Sequence, residues 1–139
     1  MKSRVIDLIF DLKSSCISKE EEIRNKLSLS PAELRGIISF TQDLKIQSNI
    51  LCRKMGLTKS RGSRVIHRLI NNGYLKIIKN NGDKRTLNIS LTIKGIRTLE
   101  NIDRMLENCE NTFKKKLSKE EIKAFKNSLK KINNILYNY

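Results

Sequence analysis

One proline, one histidine, no tryptophan and three cysteines in 139 residues leave this chain few of the parts from which several protein classes are built. The cysteines, Cys16, Cys52 and Cys109, are odd in number, far apart and without a C-x-x-C pair, which speaks against a disulfide framework or a zinc ribbon. A lone histidine, His67, cannot build a metal site, so a zinc sensor is not expected and only Asp/Glu donors would be left for a metal. No paired carboxylates, Gly-rich phosphate loop or cysteine with a basic partner histidine can be assembled, so neither a catalytic residue nor a cofactor is expected. No run approaches the ~20 apolar residues that cross a bilayer. After the basic start Met1-Lys2-Ser3-Arg4, the residues Asp7, Asp11 and Lys13 break the apolar stretch before it reaches the length of an export signal. A cytoplasmic protein with reduced thiols is the expectation.

Acids are scarce as well: 14 Asp and Glu stand against 29 Lys and Arg, a net charge of +15. Such a balance implies a polyanionic partner, either nucleic acid or an anionic membrane surface. The charge is also placed. Residues 53–94 hold eleven cations (53, 54, 59, 61, 64, 68, 76, 79, 84, 85 and 94) against one acid, Asp83. With 38% apolar and 31% charged residues, the composition suits a helix-rich single domain, long enough to bury about two-thirds of its unfolded surface.

Apolar residues at helical spacing run from Val5 to Leu27, as one long helix or two short ones. Ser18-Lys19-Glu20-Glu21 has the form of a capping box that would restart a helix, and a single bent arm is expected. Ser30-Pro31-Ala32-Glu33 opens a helix expected to reach about residue 41, because Ser accepts from free amides, Pro needs no N–H in the first turn and Glu33 faces the positive end. Gln47 to Met55 is a third helix stopped by Gly56, after which Thr58 caps a fourth. In that fourth helix Ile66, Leu69 and Ile70 form the inward stripe, while Lys59, Ser60, Ser63, Arg64 and His67 lie on the opposite side or at the exposed amino end. Asn72-Gly73 ends it. Leu75–Lys79 and Thr86–Leu91 read as a two-stranded hairpin around Asn80-Asn81-Gly82-Asp83. Two helices follow, divided by a capping box at Ser118 and Glu121. The first helix and the last two carry more apolar face than a small winged core can cover, so a second subunit is expected to cover it.

These elements, and the residues in them, resemble the MarR (multiple antibiotic resistance regulator) family of winged helix-turn-helix transcription factors. The likeness spans nearly the whole chain and rests on Leu29-Ser30-Pro31-Ala32-Glu33, Gly56-Leu57-Thr58-Lys59-Ser60, Arg64 and Leu69, Gly73-Tyr74-Leu75, Asp83-Lys84-Arg85, and Leu91-Thr92-Ile93-Lys94-Gly95. It implies a mainly α fold with a small β-hairpin wing: residues 1–29 for dimerisation, 30–92 for the winged DNA-binding core and 93–139 for the C-terminal dimerisation helices. It also implies a homodimer that places each recognition helix in a major groove and each wing over the adjacent minor groove, with half-sites ~34 Å apart in a near-palindromic operator. Two positions depart from the family pattern. Ile77 stands where an arginine is common, and Gly62 stands inside the recognition helix, at a cost of ~1 kcal/mol in helix stability and with room for a close approach.

On this resemblance Lys59, Ser60, Arg61, Ser63 and Arg64 are the groove-reading set, where long cations fork onto guanine edges and hydroxyls meet bases or phosphates. Arg68, Lys76, Lys79 and Lys84 are assigned to phosphate, Arg85 to the minor groove, and Asp83 to orienting Arg85. His67 is as well explained as a solvated imidazole as by a DNA contact. Cys16 and Cys109 fall in the implied dimerisation helices; packing as small apolar residues is preferred there over a thiol switch. Cys52 is expected to be partly exposed. The run Lys114-Lys115-Lys116 reads as a solvated helix face rather than a lipid-binding one, and no membrane partner is expected. The implied function is a DNA-binding transcriptional regulator, a repressor released by a small molecule or an oxidant. The alternatives are a non-switching architectural DNA binder and a protein-interaction module.

Overall fold

The computed structural model describes residues 3–78 and 87–138. Helix α1, Val5–Leu27, is a single uninterrupted helix. Ser18 does not restart it, because its hydroxyl donates to the Ser14 carbonyl at 3.3 Å and so back-bonds to the preceding turn instead of capping a new one. At the amino end the Asp7 carboxylate accepts from the Arg4 backbone N–H at 3.1 Å and from its guanidinium at 2.9 and 3.0 Å.

Helix α2, Pro31–Ile38, begins as its residues dictate: Ser30 Oγ accepts from Glu33 N at 3.2 Å, and Glu33 Oε1 accepts from Ser30 N at 3.2 Å. It stops short of residue 41. After Ser39 the bonds shorten to the i−3 carbonyl, Phe40 N to Ile37 O at 3.2 Å and Thr41 N to Ile38 O at 3.1 Å, and the Thr41 hydroxyl also donates to Ile38 O at 2.6 Å, so a tight turn closes the helix. Next comes an element not expected from the sequence, the three-residue strand β1, Lys45–Gln47. Helix α3, Ser48–Lys54, then ends at Gly56, whose φ of +68° provides the left-handed turn before α4, Lys59–Asn71.

Strands β2, Leu75–Ile78, and β3, Asn88–Leu91, pair antiparallel with Leu75 opposite Leu91 and Ile77 opposite Ile89. Strand β1 joins the other edge of β3, with Ile46 opposite Ile89. The sheet therefore has three strands in the order β1-β3-β2, where a two-stranded hairpin was expected. Helices α5, Ile93–Lys116, and α6, Lys119–Tyr137, complete the chain, with Ser118 and Glu121 forming the anticipated capping box through two 3.1 Å bonds.

The chain divides into two compact units, Met1–Ile102 and Asp103–Tyr139. The first has the hydrophobic core: Ile37, Leu51, Met55, Leu69, Leu75, Ile89 and Ile102 are fully buried. Along α1 only Ile23 is buried, and Val5, Leu8, Phe10 and Ile17 are exposed. In the second unit α6 buries no residue, and Phe113, Phe125, Ile135 and Leu136 are exposed. No helix among the described residues is long and apolar enough to cross a membrane.

Candidate nucleic-acid interface

Helix α4 is amphipathic in a way that separates core from charge. Gly62, Val65, Ile66 and Leu69 are buried, whereas Lys59, Ser60, Arg61, Ser63, Arg64, His67 and Arg68 are exposed. The inward stripe thus includes Val65, which replaces the expected Ile70; Ile70 is only half-buried. All six α4 residues assigned to DNA from the sequence share the outer surface.

Thr58 caps the helix, its hydroxyl accepting from Arg61 N at 3.4 Å. Acidic residues are favoured in a first helical turn because the dipole is positive there, yet α4 has none and carries Lys59 and Arg61 instead. Among the described residues, Lys59, Arg61, Arg64 and Arg68 make no ion pair. Four cations without an ion pair among the described residues, together with a helix amino end, raise the potential of one surface at some cost to the helix. Beside them runs a groove lined by Ala32 and Leu57 together with Arg61, Arg64, Val65, His67 and Arg68. Its lining combines the apolar Ala32, Leu57 and Val65 with the guanidinium groups of Arg61, Arg64 and Arg68. Ala32 and Leu57 were absent from the sequence-derived site because nothing local marks an apolar residue as a groove wall.

Gly62 has a partner. A Cβ at this position would overlap the Cys52 sulfur and lie 2.8 Å from Cys52 Cβ and 3.3 Å from its Cα, so α3 and α4 meet where Gly62 has no side chain. Cys52 is accordingly buried, not partly exposed as expected, and burial pushes its thiol pKa up. In the single chain Cys16 is exposed and Cys109 half-buried. Among the described residues no group of three or more His, Cys, Asp and Glu could hold a metal ion.

The base of the sheet explains the Leu-Thr-x-x-Gly series. The Thr92 hydroxyl donates toward the Gly73 and Tyr74 carbonyls and accepts from Gly95 N at 3.0 Å, capping α5 while joining it to the turn after α4. Lys76 and Ile77 are exposed on β2. Lys79, Asp83, Lys84 and Arg85 lie outside the described residues.

No family model matches the sequence, and no curated protein matches it. Solved structures do resemble the fold. FabT from Streptococcus pneumoniae, solved in complex with DNA, superposes with a TM-score of 0.80 at 17% identity, over 94% of this chain and 93% of that one. A MarR protein from Peptoclostridium difficile superposes at 0.79 with 20% identity, over 99% and 90%. NadR in complex with 4-hydroxyphenylacetate superposes at 0.77 with 16% identity, over 95% and 94%. The likeness covers α1 and α6 as well as the winged core, since nearly the whole of each chain is matched. The expected architecture is borne out: this chain has the winged helix-turn-helix fold of the MarR regulators.

Proposed function

We propose that this chain is a sequence-specific DNA-binding transcriptional regulator that acts as a homodimer. The observation that carries the reading is the outer face of α4, where Lys59, Arg61, Arg64 and Arg68 stand exposed with no acid in the first turn. Lys59, Ser60, Arg61, Ser63 and Arg64 enter a major groove, Arg68 meets phosphate, and the segment with Asp83, Lys84 and Arg85 serves as the wing. FabT, of the same fold, was solved in complex with DNA, which supports DNA as the partner.

The exposed apolar residues of α1, α5 and α6 are the surface that a second copy covers, because patches of this kind are seldom left to water. Residues 1–29 and 93–139 then dimerise the chain and 30–92 bind DNA. Two-fold symmetry makes the operator near-palindromic, with half-sites ~34 Å apart. Repression relieved by a small molecule fits the fold, since NadR was solved with 4-hydroxyphenylacetate, and a ligand preferring one dimer state over the other is sufficient to shift DNA affinity. The protein acts in the cytoplasm and performs no chemistry of its own.

The test is binding to genomic fragments, including the region upstream of its own gene, at near-physiological salt with excess competitor. A protected near-palindrome supports the regulator. Uniform binding abolished by competitor overturns it in favour of an architectural DNA binder.

A further inference from the structure

The carboxyl end of α4 is closed by residues from another helix. Gly73, at φ +82°, turns the chain so that its N–H donates to Ile70 O at 3.0 Å and the Tyr74 N–H donates to Leu69 O at 2.9 Å. Thr92 and Lys94, at the start of α5, supply donors for the carbonyls of residues 72, 73 and 74. Asn72 O accepts from Lys94 Nζ at 2.7 Å, Gly73 O from the Thr92 hydroxyl, and Tyr74 O from the Thr92 N–H at 3.0 Å. The Lys94 ammonium also lies 4.4 Å from the centroid of the Tyr74 ring. Gly95 seals the contact, since a Cβ there would overlap the Tyr74 carbonyl and lie 2.9 Å from Leu91.

We propose that Lys94 is a positioning residue for DNA reading: a cation carried by α5 that seats the last turn of α4, so that the α4 cations meet the groove in one register. The inference rests on the reading of this chain as a DNA-binding regulator. A positive charge belongs at the negative end of the α4 dipole, and here a second helix supplies it. The ammonium is engaged by a carbonyl and an aromatic face, two partners that also fix its direction. Because Thr92 and Lys94 hydrogen-bond the turn after α4 and Gly95 packs closely against it, a displacement at the start of α5 is transmitted to α4 and not lost in a slack loop.

Lys94→Met keeps most of the stem and removes the charge; Lys94→Arg keeps the charge. The probes are a duplex selected by the wild-type protein from a random-sequence library and a duplex of random sequence. For Lys94→Met the affinity for the selected duplex is expected to fall roughly threefold to tenfold. Binding to random duplex should change less than about twofold, with the salt slope unaltered. Amide exchange at Gly73 and Tyr74 should quicken, and Lys94→Arg should recover both properties. Equal losses on both duplexes, with a salt slope smaller by about one, make Lys94 a phosphate contact and overturn the proposal. Unchanged affinity overturns it as well. A wild-type protein that selects no sequence overturns the regulator reading and the DNA-reading role together, while the exchange rates, which need no DNA, still decide whether Lys94 holds the end of α4.

Discussion

The Cys52 side chain occupies the space in which a side chain on Gly62 would begin, with the two Cβ positions only 2.8 Å apart if Gly62 were substituted. Replacing Gly62 by alanine sets a helix-propensity gain of ~1 kcal/mol against an overpacking cost of ~1–3 kcal/mol. Rotating the sulfur away would not suffice, because Cys52 Cβ would still lie 2.8 Å from the new methyl. The cost therefore wins, and Gly62→Ala is expected to lower stability by about 1 kcal/mol in urea titration. Adding Cys52→Gly should make the methyl tolerable, so the two changes together should cost less than the sum of each alone. Strict additivity would show that the close approach does not limit the packing of α3 on α4.

Burial of Cys52 has a chemical consequence. Its thiol is held protonated at neutral pH, so iodoacetamide at pH 8 should modify exposed Cys16 quickly and Cys52 only as fast as the protein opens. The folded-state pKa lies above the unfolded value of about 8.5, so the native state binds the extra proton over that interval. Stability is unaffected below the unfolded value and declines as pH rises toward the folded one. Cys52→Ala should remove that part of the alkaline decline, and equal labelling of Cys16 and Cys52 in the native protein would refute the assignment.

The outer face of α4 predicts a division among its arginines. Arg64→Ala should cost about 1–3 kcal/mol on a selected duplex and relax the preference at one base position. Arg68→Ala should weaken all sequences alike and reduce the salt slope by about one. Both are read by titration against a panel of single-base variants at several salt concentrations. Selectivity left intact by Arg64→Ala would remove this residue from the reading set.

Both serine capping boxes can be tested apart from DNA. Ser30→Ala and Ser118→Ala each remove an acceptor for an N3 amide, at 3.2 Å and 3.1 Å, and each should cost about 1 kcal/mol of helix or protein stability. Ser18→Ala should cost little, since its hydroxyl caps nothing. Denaturation of the three variants side by side distinguishes a cap from a back-bonded serine.

Helix starts were legible because capping is local: Ser30 with Glu33, Thr58 with Arg61 N and Ser118 with Glu121 each satisfy amides within three residues of chain. The cationic face of α4 was legible for the same reason, since a 3.6-residue period fixes which side chains share a surface. Ser18-Lys19-Glu20-Glu21 has the same local pattern as a true cap, yet it lies inside a helix, because a motif of four residues does not outweigh the continuous turns on either side of it. Strand β1 had no local signature; Ile46 is a strand residue because Ile89 lies opposite it, 43 positions later in the chain. The burial of Cys52, the need for glycine at 62 and the reach of Lys94 to Asn72 likewise arise from contacts between elements. Hydrogen bonds and side-chain periods within a few residues are written into the chain order, whereas close packing and the pairing of distant carbonyls exist only after the elements have met.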